Sequence, residues 1–469
     1  MMLNRKAAVL SASLLLGGCA SVPQQAGFPE VEQAVAQRTQ GLRMHWNRGT
    51  ASDAAVAESI RSIVRSELTA DQAVQLALLN NPALQATYED LMVAQADLVQ
   101  SGLLRNPVFD AEVKLFGDGT NLEVAVVQEF LDVFFIPMRR RLAGAEFEAA
   151  KARVAGEVIG LAAQVRAGYY RLVTAQQTLE LRQQVLIATE ASFDLARRLR
   201  EAGNITDLDL ANERSLYEQS KVDLAAAEAL TLRLRESLNE LMGTWGQMTS
   251  WTVPDRLPPL DERPMVFEEV QSEAIKNNLQ LAATRQQIEA SALRLGIARP
   301  MGLIEEIEVG VAAEREPDGE WGIGPGFSIP IPLWTQGQPA IARAQAELRR
   351  SMQQYAATAI QTRSRVRTAW ADLHAARSRA EYYQAVLLPL NERIVNESQL
   401  QYNAMQIGAF QLLQAKRQQI QTAEQYIQTL QDYWLARTEL EQIAAGQLGR
   451  VDRESPGVMG AQRERLNDH

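Results

Sequence analysis

Cysteine is almost missing from this chain: Cys19 is the only one in 469 residues, which excludes a disulfide framework. Histidine is nearly as scarce. His45, His374 and His469 are the only three and lie far apart, so no zinc-type spacing exists, and a lone helical His374 reads as solvated or packed before it reads as a ligand. Basic clusters are lacking too. The formal net charge is −10 and the pI about 5.2, which argues against nucleic acid as a partner. Beyond the N-terminal eighteen residues no run of ~18 apolar residues occurs, so no transmembrane helix is expected there. Nucleophile elbow, phosphate loop, metal cluster and acid–base pair are all absent from the sequence, so neither catalytic nor metal-binding residues, nor any cofactor, is expected.

What the chain does have begins with an export signal. Asn4-Arg5-Lys6 is a basic start, Ala7 to Leu16 an apolar stretch, and Leu16-Gly17-Gly18-Cys19 resembles a lipobox. Cleavage before Cys19 and acylation of its thiol would add membrane affinity at ~0.8 kcal/mol per buried CH₂. Ala20 and Ser21 lack the acidic residue associated with inner-membrane retention, so the outer membrane is the expected destination.

The organising stretch is a helix expected from Lys151 to Ala202. Val158, Val165, Leu172, Leu179, Leu186 and Phe193 recur every seventh residue, a coiled-coil seam. About fifty residues at ~1.5 Å rise give roughly 75 Å, far beyond the ~30 Å hydrocarbon layer. Val366, Leu373, Ala380, Leu387 and Ile394 repeat the pattern some 200 residues later, which signals an internal duplication.

Each half carries the same succession. In the first, residues 20–50 read as a tether, Ser52-Asp53 as the cap of a short helix over 54–66, and 68–103 as a long helix that Pro82 kinks or restarts. Phe109, Ala111, Val113 and Leu115 alternate with Asp110, Glu112 and Lys114, and a turn at Gly117-Asp118-Gly119 leads to a return run from Leu122 to Phe135, a β-hairpin. Pro137 and Arg139-Arg140-Arg141 are expected to close it, the arginines lying either at a membrane boundary or at a plain helix start. After the long helix, Gly203-Asn204 reverses the chain, Thr206 or Asp207 caps the returning helix, and that helix ends at Met242-Gly243.

The second half replays this order. Asn277-Asn278, within a helix expected over 267–298, answers Asn80-Asn81. Ile307, Val309, Val311 and Ala313 alternate with polar or small residues, and the Trp321–Leu333 strand sets bulky residues against glycines. A long helix from Gln338 to Ala404 is expected to bend at Pro389. The turn Met405-Gln406-Ile407-Gly408 matches Gly203-Asn204-Ile205-Thr206, and a last helix ends near Gly446. The expected division is 1–18 signal, 19–66 lipidated tether and short helix, 67–243 first repeat, 244–264 proline-rich linker, 265–446 second repeat and 447–469 polar tail.

Four strands cannot close a membrane barrel, which needs about eight or more, so copies must meet to complete it. The chain resembles the TolC-like outer-membrane factor family over nearly its whole mature length. The resemblance rests on the duplication, the order of elements, Phe327-Ser328-Ile329-Pro330-Ile331-Pro332-Leu333-Trp334, and Leu388-Pro389 upstream of Tyr402. It implies a membrane α+β fold: a homotrimer whose β-barrel continues into a periplasmic α-helical barrel of coiled-coil hairpins. It also implies an exit duct of a tripartite efflux system in the outer membrane, partnered by a periplasmic adaptor and an inner-membrane pump, usually of the RND class. Within the family, type I protein secretion is an alternative task. An acylated coiled-coil tether is the competing structural role, although it leaves the strand alternation unexplained.

By the same resemblance the helix ends at the periplasmic tips narrow the aperture. Aligning the turns places Gln411 and Gln414 where many members have an acidic pair, and Asp209 and Asn212 at the matching first-half positions. Asp207 and Asp209 also suit a helix N-terminus as plain first-turn residues. Adaptor contact is expected at the tip turns, Gly203 and Asn204 in the first half and Gln406 and Gly408 in the second. Leu79-Asn80-Asn81-Pro82-Ala83-Leu84-Gln85 and Leu103-Leu104-Arg105-Asn106-Pro107 look like the heavy-metal branch.

Overall fold

The structure is a computed structural model that describes residues 21–39, 41–116, 119–129, 132–261, 265–301, 307–315, 319–329, 331 and 333–449. The signal, Cys19, Gly117, Asp118, Glu305, Glu306, Pro330, Pro332 and the tail from Arg450 lie outside the described residues. Two compact units cut across the sequence halves. One draws on residues up to Val31 with Thr87–Val154 and Gln280–Ala359, the other on Glu32–Ala86, Ala155–Leu279 and the residues from Ile360 onward.

The elements in order are α1 (Phe28–Arg38), α2 (Ala51–Val64), α3 (Ala70–Asn80), α4 (Pro82–Ser101), β1 (Val108–Phe116), β2 (Gly119–Glu129), α5 (Asp132–Glu201) and α6 (Asp207–Met242) in the first half. The second half supplies α7 (Phe267–Lys276), α8 (Leu279–Met301), β3 (Glu308–Arg315), β4 (Trp321–Ser328), α9 (Gln338–Tyr382), α10 (Leu388–Asn403) and α11 (Ala409–Ala444).

The first unit holds one four-stranded antiparallel sheet in the order β1-β2-β3-β4. Its central pair joins the two halves, with Val126 opposite Val311 and Glu129 opposite Glu308. Directly paired residues share a face, because side chains alternate strictly along a strand. One face is therefore Phe109, Val113, Val126, Val311, Ile323 and Phe327, apolar and largely exposed; the other carries Asp110, Glu112, Glu123, Glu129, Glu308 and Glu314 with one cation, Lys114. Lys114 Nζ lies 3.2 Å from Glu112 and 3.4 Å from Glu123, relieving two carboxylates placed directly opposite. Among the described residues no strand lies beside the outer edges of β1 and β4.

The second unit is helical. Its core joins Val270 and Ala274 on α7, Val366, Ala369 and Leu373 on α9, and Tyr433, Leu440 and Ile443 on α11. The Asn-Asn pairs that the halves share act as clasps. Asn80 Nδ2 donates to the carbonyls of Met242 and Gly243 at 3.0 and 2.7 Å, and Asn81 Nδ2 to Leu241 at 2.8 Å, closing the end of α6. Asn277 Nδ2 donates to Ala444 at 3.2 Å at the end of α11. The linker is pinned by Trp434 Nε1, which donates to the Pro258 carbonyl at 3.0 Å, and by Trp251, fully buried with Nε1 on Asn239 Oδ1 at 3.0 Å.

Several expectations are corrected. Residues 28–38 are helical and not tether, with Val31 and Val35 buried one turn apart. The short helix starts at Ala51 behind Thr50, and Asp53 serves as its third residue, accepting from Thr50 N at 2.7 Å. Strand β2 stops at Glu129 instead of running to Phe135, and α5 begins at Asp132 instead of Lys151. Pro137 lies inside that 70-residue helix, one turn in, where it removes only the bond to the Val133 carbonyl. Pro82 restarts the chain as expected, while the helix expected over 267–298 is two, parted at Asn277-Asn278. Strand β4 ends at Ser328, short of Leu333.

At Pro389 the helix does not simply bend. Tyr383–Leu387 form a π-helical turn, with Leu388 N–H reaching the Tyr383 carbonyl. The wider turn makes room for the proline ring, which would clash with the carbonyl four residues back in a regular helix.

Candidate functional site

Both tip turns fold by the same bonds. Gly203 sits at φ +78°, its N–H on the Arg200 carbonyl and that of Asn204 on Leu199, both at 2.9 Å. Met405 takes φ +59°, its N–H on Tyr402 and that of Gln406 on Gln401, also at 2.9 Å. This is the two-bond closure at a helix C-terminus in which a left-handed residue is needed; glycine supplies it freely in one half and methionine at some cost in the other. The sequence match of the two turns is therefore a structural equivalence, residue for residue.

The helices that leave the turns are capped at equivalent positions. Thr206 Oγ1 accepts from Asp209 N at 3.1 Å, while Asp209 Oδ2 accepts from Thr206 N at 3.0 Å and from its hydroxyl at 2.6 Å, a reciprocal capping box. These bonds hold the Asp209 carboxyl below its ordinary pKa. Gly408 has no side chain to offer, and Gln411 Oε1 alone accepts from Gly408 N at 2.9 Å. The first tip is further strapped by Arg200, whose Nε and Nη2 meet the two oxygens of Asp207 at 2.6 and 3.0 Å and lower that carboxyl's pKa.

Of the four residues aligned as aperture candidates, the structure brings two together. Asp209 and Asn212 line a cleft of ≈ 150 Å³ with Ser192, Ile205, Tyr402 and Lys416. Gln411 and Gln414 are exposed outside it. Gly203, Asn204, Gln406 and Gly408 are all exposed, as a docking surface requires.

Sequence reasoning missed the ionic tie higher on the hairpins. Arg182 on α5 reaches Asp223 on α6 at 3.0 Å and Glu424 on α11 at 2.9 Å. Burial raises the Glu424 pKa, ahead of the lowering by Arg182. Nothing distinguishes these three charges in the sequence from their many neighbours on exposed faces. Among the described residues no group of His, Cys, Asp and Glu suited to a metal ion is present. His45 is occupied by Asp53, with Nε2 2.7 Å from Oδ1.

Residues 73–244 match the family model described as outer membrane efflux protein. Over that stretch the chain is similar to that family. Among curated relatives, the chain is 23% identical over 387 residues to the cobalt-zinc-cadmium resistance protein CzcC of Cupriavidus metallidurans, covering 80% of this chain and 90% of that one. It is also 23% identical over 346 residues to the antibiotic efflux pump outer membrane protein ArpC of Pseudomonas putida, covering 68% and 70%. Among solved structures it is similar in fold to the Campylobacter jejuni CmeC outer membrane channel, with a TM-score of 0.69 at 14% identity over 96% of this chain and 97% of that one. The likeness shows an outer-membrane-channel fold, to which a four-stranded antiparallel sheet and long helices both belong.

Proposed function

We propose that this chain is the exit channel of a tripartite efflux system, a homotrimer in the outer membrane that takes cargo from an adaptor and an inner-membrane pump of the RND class. The observation that carries the reading is the sheet: four strands with an exposed apolar face, an acidic opposite face and two free edges. In lipid such edges must be paired, and three copies joined edge to edge would pair them. The apolar face then meets hydrocarbon, and the opposite face turns to the lumen in each copy with six carboxylates against Lys114 and against Arg105, which pairs with Glu129.

That lumen favours cations over anions, since like charges in a confined pore build a strong local field. Divalent metal ions are the first cargo class to test, in keeping with the name of the CzcC relative. The tip turns Gly203-Asn204 and Gln406-Gly408 are the adaptor surface in this reading, and Asp209 with Asn212 the constriction. Acylation at Cys19 adds an anchor after removal of residues 1–18.

Planar-bilayer recording tests the proposal. Trimers should conduct and, in a salt gradient, show a reversal potential of cation-selective sign; Glu112→Gln with Glu308→Gln should reduce that potential. A chain that is extracted as a non-conducting rod overturns the channel, whereas conduction with anion preference overturns only the cargo assignment.

A further inference from the structure

We propose that the rim where strands give way to helices binds anionic phospholipid, phosphatidylglycerol or cardiolipin, at two stations in each chain. The inference rests on the outer-membrane reading above and assigns a ligand to a surface which that reading leaves plain.

The first station is the start of α5. Val133, Phe134, Pro137, Arg140 and Arg141 are all exposed. Their spacing, three to four residues apart and then seven in all, puts them on a single stripe of the helix. Phe134 is 70% exposed, a large apolar side chain that lipid can cover. Arg140 and Arg141 follow it by about two turns, roughly 9–10 Å at ~1.5 Å per residue. An aromatic ring at the hydrocarbon boundary with arginines about that distance further out matches a membrane interface, where rings lie at headgroup level and guanidinium groups take phosphate oxygens.

The second station repeats the first at the duplication offset. Leu333 and Trp334 stand 200 residues after Val133 and Phe134 and are 74% and 94% exposed. Exposed Arg343 on α9 follows Trp334 at nine residues, two more than separate Arg141 from Phe134. The backbone differs, helical at 133–141 but irregular at 333–337 in the second half, and yet the aromatic-then-arginine order survives. Both stations follow, in sequence, the ends of β2 and β4 that lie away from the tight strand turns. Arg105, by contrast, is committed to Glu129 at 2.5 Å and Gln128 donates to its carbonyl at 2.9 Å, so the adjoining loop is already neutralised.

Charge selects the occupant. Three arginines with exposed aromatics suit a lipid with net negative headgroup charge and give no advantage to zwitterionic phosphatidylethanolamine. A soluble phosphate ester would satisfy the arginines but leave Phe134 and Trp334 in water.

Native mass spectrometry of the full chain, released from vesicles of phosphatidylethanolamine mixed with phosphatidylglycerol, tests this. Wild type should retain phosphatidylglycerol in preference, and Arg140→Gln/Arg141→Gln/Arg343→Gln should lower that preference by about tenfold or more, with conductance retained. Equal retention of both lipids by wild type, or an unchanged preference in the triple variant, overturns the inference while leaving the channel intact. Displacement of the bound lipid by soluble glycerophosphoglycerol at equal concentration would show a simple anion site and also overturns it. Failure of wild type to enter vesicles at all would instead overturn the channel reading and this one with it. Phe134→Ala/Trp334→Ala separates the two halves of the station: retention should fall for both lipids alike.

Discussion

Asp209 and Gln411 hold the same station in their helices, third in α6 and third in α11, and each folds back on the amide of its own N-cap residue, Thr206 at 3.0 Å and Gly408 at 2.9 Å. Asp209 also binds the Thr206 hydroxyl, so its charge is already engaged before any ring of copies forms. The tip therefore uses both side chains to hold backbone, and any charge that Asp209 presents to the proposed channel comes from a carboxylate already engaged in its cap.

Asp209→Ala should loosen the first tip alone. Amide exchange over 206–210 should quicken by about tenfold while 408–412 stays unchanged, read by hydrogen exchange. Gln411→Asp should keep the second cap, because a carboxylate accepts the same bond, and in the trimer proposed above it should strengthen the cation preference.

The glycines at the two clasps should be irreplaceable. Gly243 at φ +66° would place a Cβ 2.8 Å from the Asn80 carbonyl, and Gly446 at φ +101° would drive one into the Asn277 carbonyl. Both clashes are with backbone, which cannot swing away. Gly243→Ala and Gly446→Ala should each cost about 2 kcal/mol or more in thermal or denaturant unfolding.

Arg182 should matter more than either partner. Arg182→Leu leaves Asp223 and Glu424 facing each other without a cation and should cost about 2 kcal/mol. Glu424→Gln should be nearly neutral at pH 7. The sign follows from the raised Glu424 pKa: its contribution is fully present below the ordinary carboxylate value and is lost as pH rises through the folded one. Mild acid should thus stabilise wild type relative to Glu424→Gln, measured as the difference in unfolding midpoint between pH 4 and 7.

Alkaline unfolding should begin near the buried tyrosines. Tyr169, 5% exposed and donating to the Leu68 carbonyl at 3.0 Å, has its pKa pushed up to about 12 by burial, with Glu67 adding to it. A raised value means stability present below the unfolded pKa of ~10 and lost as pH climbs from there towards 12, roughly 2–3 kcal/mol in all. Tyr169→Phe should flatten that decline in a pH series of denaturant midpoints, though it gives up one hydrogen bond.

Much of this architecture was legible because the chain says it twice. Asn80-Asn81 with Asn277-Asn278, and Gly203-Asn204 with Met405-Gln406, fall at equivalent places, and the heptads starting at Val158 and Val366 are buried where they begin. The misses have local causes. Phe28–Arg38 is a short helix whose two buried valines give too brief a period to stand out among Gln, Gly and Pro. Pro137 looked like a boundary because proline usually is one, but near a helix start it forfeits a single bond. The Arg182 tie depends on three helices coming together, which no pattern within one segment reports.

The π turn at Tyr383–Leu387 has a consequence for symmetry. One surplus residue in a helix turns everything after it by roughly 100°, and the buried positions shift accordingly: Val366, Leu373 and Ala380 are enclosed, Ile394 is 43% exposed, and Asn391 is inside instead. The first long helix has no such turn among its described residues. In the trimer proposed above, staves of two kinds would alternate around the ring, so a partner arriving from the periplasm would meet two sorts of furrow, three of each, and could tell them apart.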